Sequence, residues 1–186
     1  MTQLAYPLVV YLPDTRGVEV SRYGRGNLKL GASVYTYSRP AGLPGETTAY
    51  EPAGTCPGAT PECLDVCYAR RISGAVFDVY RRNVDDDVPP IPDDARLLRI
   101  HVSGDFDTPE YIWGWTHRLR QRPDVMAWAY TRSWRCHSLL EFLEELRALP
   151  NMQLFASMDA SCRELPPAGW RRAWLWRDFD DAIINP

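Results

Sequence analysis

Leu97-Leu98-Arg99-Ile100-His101-Val102, Val125-Met126-Ala127-Trp128-Ala129-Tyr130 and Met152-Gln153-Leu154-Phe155-Ala156 decide the fold. Each is a short, mostly apolar run of strand length, and a segment of helical periodicity separates it from the next. Thr108-Pro109-Glu110 opens the first helix, with Thr as N-cap, Pro at the first helical position and an acid in the first turn. Ile112, Trp115 and Leu119 share its apolar face. Ser138-Leu139-Leu140-Glu141 reads as a capping box opening the second helix, with Leu139, Phe142, Leu143 and Leu146 apolar. Strands alternating with amphipathic helices of this length predict βαβ units. The expected class is α/β: a single domain over 1–186 with a mostly parallel, partial (β/α) barrel-like sheet. It divides into an irregular, partly β region over 1–50, a cysteine loop and helix over 55–82, and βαβαβ units over 97–160. In the first region Leu8–Leu12 and Ala32–Tyr37 read as strands between glycine turns. Asp85-Asp86-Asp87-Val88-Pro89-Pro90-Ile91-Pro92-Asp93-Asp94 reads as an acidic, Pro-rich, solvated surface loop.

A chain of 186 residues is long enough for one sizeable core without disulfide staples. Seven Trp, ten Tyr and five Phe exclude default disorder. No apolar run approaches the roughly 20 residues of a membrane span, so no membrane partner is expected. No basic region precedes an apolar stretch at the N-terminus, so no secretory leader is expected. A net charge of −3 argues against wholesale nucleic-acid binding. Arg118, Arg120, Arg122, Arg132 and Arg135 lie near Trp residues, and a solvated helix face is their simpler account.

Cys56, Cys63, Cys67, Cys136 and Cys162 make an odd count, which fits poorly with a disulfide framework. Cys56, Cys63 and Cys67 fall close together beside a Pro-Gly turn, a pattern that points to metal binding. Thr60-Pro61-Glu62 predicts a helix from there through Tyr80. On it Cys63 and Cys67, at i and i+4, share a face, and Cys56 reaches back from the preceding loop. The positive end of the helix favours thiolates there. Structural zinc sites usually take four ligands from short pairs, whereas here one gap is six residues and no His is near. An iron–sulfur cluster, [4Fe–4S] or [3Fe–4S], accepts wider thiolate separation and three protein ligands, so it is favoured over zinc. Cys136 and Cys162, each a few residues beyond a strand end, are candidates for a fourth ligand.

Function in parallel α/β folds gathers at the carboxyl ends of strands. Ser103-Gly104-Asp105, Arg132 with its neighbours, and Ser157 with Asp159 occupy those ends and are candidate ligand-binding residues. Gly26-Asn27-Leu28-Lys29-Leu30-Gly31, the Cys56–Cys67 run, Ser103-Gly104-Asp105-Phe106 and Tyr130-Thr131-Arg132-Ser133-Trp134 together resemble the actinobacteriophage gene product 88 family, over about residues 26–160. That resemblance implies a phage-encoded protein of the host cytoplasm whose biochemical role is undefined.

More distantly, the order of elements resembles radical S-adenosylmethionine enzymes, in which three cysteines after the first strand hold a [4Fe–4S] cluster. That resemblance implies S-adenosylmethionine as a cofactor. Asp105, with Ser103 and Gly104, would then grip the cofactor's amino group, and Arg132, Ser157 and Asp159 would line the rest of a pocket for an unknown small molecule. The spacing C-x₆-C-x₃-C departs from that family's C-x₃-C-x₂-C, and the chain is short for a full barrel. The alternative is a non-catalytic protein, stabilised by an iron–sulfur cluster or zinc, that binds a protein partner.

Overall fold

Strand β2 (Val34–Tyr37) pairs in parallel with β3 (Leu97–Ile100), β3 with β4 (Met126–Thr131), β4 with β5 (Met152–Met158) and β5 with β6 (Arg171–Trp174). A two-residue strand, β1 (Gly24–Arg25), adds antiparallel to β2. This is a computed structural model, and it describes residues 22–26, 30–45, 53–71, 80 and 82–175. The expected strand at Leu8–Leu12 lies outside them. Spatial order equals chain order in all six strands. Right-handed crossovers between sequential parallel neighbours place their helices on one face, and this is the arrangement of a barrel wall left open.

Helices α2 (Pro109–Gln121) and α3 (His137–Arg147) pack together, and α3 packs on β5. Thr108 caps α2 as its sequence promised, its side chain accepting from the Tyr111 N–H at 3.2 Å. Ile112, Trp115 and Leu119 are fully buried. Each contributes roughly 1.5–3 kcal/mol of apolar burial, which fixes which side of α2 meets the sheet. Trp115 sits edge-on to Tyr37 at 5.1 Å and to Tyr23 at 6.4 Å, tying α2 to β2.

Three boundaries differ from the sequence reading. Helix α1 covers only Pro61–Val66; Cys67 is its extended C-cap, and a 3₁₀ turn follows at Tyr68–Arg71. The Tyr68 hydroxyl donates to the Val102 carbonyl at 2.8 Å, drawing the chain off the helix axis toward the sheet. Helix α3 begins at His137, one residue before the expected cap. Cys136 is its N-cap, delivered in extended conformation by a 3₁₀ turn at Ser133–Arg135, so Ser138 lies inside the helix. Strand β3 stops at Ile100 because His101 takes a left-handed backbone, φ 46°.

The arginine group near α2 is consumed structurally. Arg122 donates to the carbonyls of Ile91, Pro92, Asp93 and Ala95, Arg118 to that of Val88, and Arg120 pairs with Glu145. The Arg122 and Arg118 bonds fasten the 85–96 loop to α2, and the Arg120–Glu145 pair joins α2 to α3.

Candidate functional site

The cysteine loop is clamped to the carboxyl edge of the sheet by backbone contacts that only glycine allows. Thr55 N–H donates to Pro40 O at 3.0 Å and Cys56 N–H to Gly42 O at 2.9 Å. A Cβ on Gly58 would lie 2.0 Å from the Arg132 carbonyl oxygen, and one on Gly54 2.2 Å from the Gly42 carbonyl carbon. The Arg135 guanidinium donates to Gly58 O at 3.0 Å. The loop therefore sits directly on the β4 end, and α1 starts from it.

Thr60 joins that helix start to β5. Its hydroxyl accepts from Cys63 N–H at 3.1 Å and donates to Asp159 Oδ2 at 2.5 Å. The same carboxylate oxygen takes Arg132 Nη1 at 2.7 Å, while Oδ1 accepts from the Ser161 N–H and hydroxyl. Asp159 is fully buried and Arg132 nearly so. Burial alone would raise the Asp159 carboxyl. The bonds from Ser161 and Thr60 and the Arg132 charge outweigh it and hold the group below its ordinary value, so the pair is ionic. Arg132 Nη1 also lies 3.7 Å from Cys162 Sγ, and the guanidinium reaches the Cys63 thiol.

Asp105 is spoken for. Its Oδ1 accepts from Phe106 N–H at 2.8 Å and its Oδ2 from Arg132 N–H at 2.7 Å. Burial pushes its carboxyl up to about 6 against the hydrogen bonds from Thr131, Arg132 and Phe106. Ser103 Oγ donates to Arg39 O at 2.8 Å, and Gly104, at φ +80°, packs against Arg39 and Thr55. These three residues knit the β3 end to the neighbouring loops. Ser157 is half-buried, and its carbonyl accepts from Trp134 Nε1 at 3.1 Å.

The structure thus brings Cys56, Cys63, Cys67, Asp105, Arg132, Asp159 and Cys162 to one edge. Burial first, then Asp105 and the other two cysteines, push the Cys56 thiol up, and burial, Cys67 and Asp105 raise Cys63 against Arg132. Cys136 stands at the α3 start, raised by burial and by Asp105, and is packed partly into the core. Among the described residues, no group of three or more His, Cys, Asp or Glu side chains converges tightly enough for a single metal ion. Sequence reasoning missed the Thr60–Asp159–Arg132 chain, whose members are far apart in sequence. The only local signal was the Thr-Pro-Glu cap.

The sequence profile described as Gene product 88 matches residues 90–184, which includes β3 through β6 and therefore Asp105, Arg132 and Asp159. The chain belongs to the gene product 88 family. It is 33% identical to the Gene 88 protein of Mycobacterium phage L5 and 30% identical to that of Mycobacterium phage D29. Each match covers 56% of this chain and 52% of the relative, so the chain spans about half the length of these curated relatives. No solved structure matches. No helix among the described residues of this family member is long and apolar enough to cross a membrane.

Proposed function

We propose that this gene product 88 protein holds an iron–sulfur cluster on Cys56, Cys63 and Cys67, with Cys162 the best-placed fourth ligand. The observation that carries the reading is the loop bearing Cys56 and the start of α1 bearing Cys63, locked together to the sheet edge beside Arg132, with Cys67 at the end of that short helix. The six-residue gap between Cys56 and Cys63 suits a cluster, which spreads its thiolates around several irons, better than zinc held at about 2.3 Å from each sulfur by short cysteine pairs. Held by these cysteines, a cluster would supply one-electron chemistry, or folding energy as a clip.

The chain's own residues have defined tasks. Gly58 lets the loop seat on Arg132. Arg132 offsets thiolate charge at Cys63 and touches Cys162, and Asp159 fixes the guanidinium. Metal binding would reverse the burial effect on the thiols, because a bound cation deprotonates them outright.

The radical S-adenosylmethionine reading needs Asp105 to meet an amino group. Both of its oxygens already accept backbone N–H groups, which favours a clip or redox role in a partner-binding protein. The test is cluster loading, read from visible absorption after anaerobic reconstitution. Cys56→Ser, Cys63→Ser and Cys67→Ser should each abolish most of it, Cys162→Ser should lower it, and Cys136→Ser should leave it near wild type. Equal loading across all five variants overturns the proposal.

A further inference from the structure

Glu110, Trp113, Gly114 and His117 follow one another along α2 at helical spacing and share a face that the core does not bury. With the Asp86–Val88 turn and Phe142 of α3 they line an open groove of about 590 Å³. Every lining residue lies in the run 82–175, which the structure describes throughout. Glycine at 114 lets the turn come close, since a Cβ there would lie 2.9 Å from Val88 Cγ2. The Thr108 hydroxyl donates to Asp86 Oδ1 at 2.7 Å and Arg118 Nε to the Val88 carbonyl at 2.8 Å, so turn and helix are held together. Trp113 is 54% exposed. His117 stacks on one face of its indole at 5.4 Å, and no other ring or cation among the described residues covers it. Three carboxylates, Asp86, Asp87 and Glu110, border the groove against one guanidinium, that of Arg118. Asp87 has a 77% exposed side chain and meets Arg22 only at 3.8 Å. Glu110 is exposed and has no ion-pair partner among the described residues.

We propose that this groove docks a basic peptide segment of a partner protein. An arginine of that segment stacks on the free face of Trp113 and pairs with the Glu110 and Asp87 carboxylates, and an apolar neighbour packs on Phe142 and Pro109. A guanidinium answers both features at once, because its plane stacks on indole and its N–H fork meets carboxylates. A bare metal ion would use the carboxylates and leave the indole and most of the volume empty. An acidic segment or a phosphate backbone meets like charge here. Tryptophan and arginine are also the residue types that anchor protein interfaces. The stack on His117 fixes the indole in place beforehand, which lowers the entropy lost on docking. This inference stands apart from the cysteine site and does not depend on it.

The experiment is fluorescence anisotropy of a labelled short peptide of alternating Arg and Leu, acetylated and amidated, titrated with the full chain. Binding should saturate below roughly 300 μM protein and weaken as salt rises. Lysine in place of arginine should weaken it, and glutamate in place of arginine should abolish it. Trp113→Ala should weaken binding roughly 3- to 30-fold and Glu110→Gln roughly two- to fivefold. Both positions are exposed, and thermal melts check that both variants keep the fold. Glu164→Gln, which removes a carboxylate beside Arg135 at the cysteine edge, should bind as wild type. The proposal is overturned by absence of binding at roughly 300 μM, which is also the outcome if another segment of this chain fills the groove. It is equally overturned if Trp113→Ala binds as wild type, if the lysine peptide binds as well as the arginine peptide, or if Glu164→Gln weakens binding as much as Glu110→Gln, which would make the attraction diffuse. Light scattering that shows a dimer dissolved by Trp113→Ala would assign the groove to a second copy of this chain and overturn it too.

Discussion

Arg132→Gln removes the cation from a pair whose members are 6% and 0% exposed. Breaking a buried pair on one side costs about 3–5 kcal/mol, because the remaining charge has lost both water and partner. Here Asp159 keeps hydrogen bonds from Thr60 and from Ser161, so the lower end, about 3 kcal/mol, is expected. For a domain of this size that lowers Tm by roughly 6–12 °C. Urea and thermal melts measure it directly. The same carboxylate oxygen serves Arg132 and Thr60. A cycle with Thr60→Ala should therefore show coupling above about 0.5 kcal/mol. A Tm for Arg132→Gln within about 2 °C of wild type would refute the claim that this pair joins the cysteine loop to β4 and β5.

Gly58→Ala touches no proposed ligand, yet its Cβ would meet the Arg132 carbonyl oxygen. It should lose stability and most of its cluster loading together, whereas Gly45→Ala, with open space around its Cβ, should cost only the strain of a side chain at φ +85° and keep the loading. His101 is held neutral by burial and by the charges of Arg39 and Arg99, with its pKa well below 6.5. The lowered folded-state pKa means that stability is full above the unfolded value and falls as pH drops below it, because only the unfolded chain takes up the proton. Between about pH 7 and 5, wild type should lose more than His101→Asn, by at most about 2 kcal/mol, and Asn suits the left-handed backbone. Urea melts at both pH values check this, and equal losses would contradict it.

The segment from β3 to β5 was legible because its signals are local. Periodicity gave α2 and α3, and Thr108-Pro109-Glu110 gave a cap that the structure keeps. Strand β6 escaped because Arg171-Arg172-Ala173-Trp174 opens with two exposed charges at a sheet edge and carries no apolar run. The expected continuation of α1 through Cys67 failed because a side-chain bond from Tyr68 to Val102, 34 residues away, outweighs helix propagation. At the site, the Pro-Gly turn and the Thr60-Pro61-Glu62 cap showed that Cys56 lies on a loop and Cys63 on the helix start that follows it. The uses of Asp105 and Asp159 were not legible, because both are set by partners 27 residues or more distant: Arg132 for each of them, and Thr60 for Asp159. A polar residue after a strand looks the same in sequence whether it awaits a ligand or staples two loops.

The most direct test of the cysteine site is elemental. Protein purified without oxygen from iron-replete cells should contain iron and acid-labile sulfide in comparable amounts, several atoms of each per chain, with little zinc. Stoichiometric zinc without sulfide, or no metal in a folded protein with all five thiols titratable, would contradict the assignment of Cys56, Cys63 and Cys67 to a cluster.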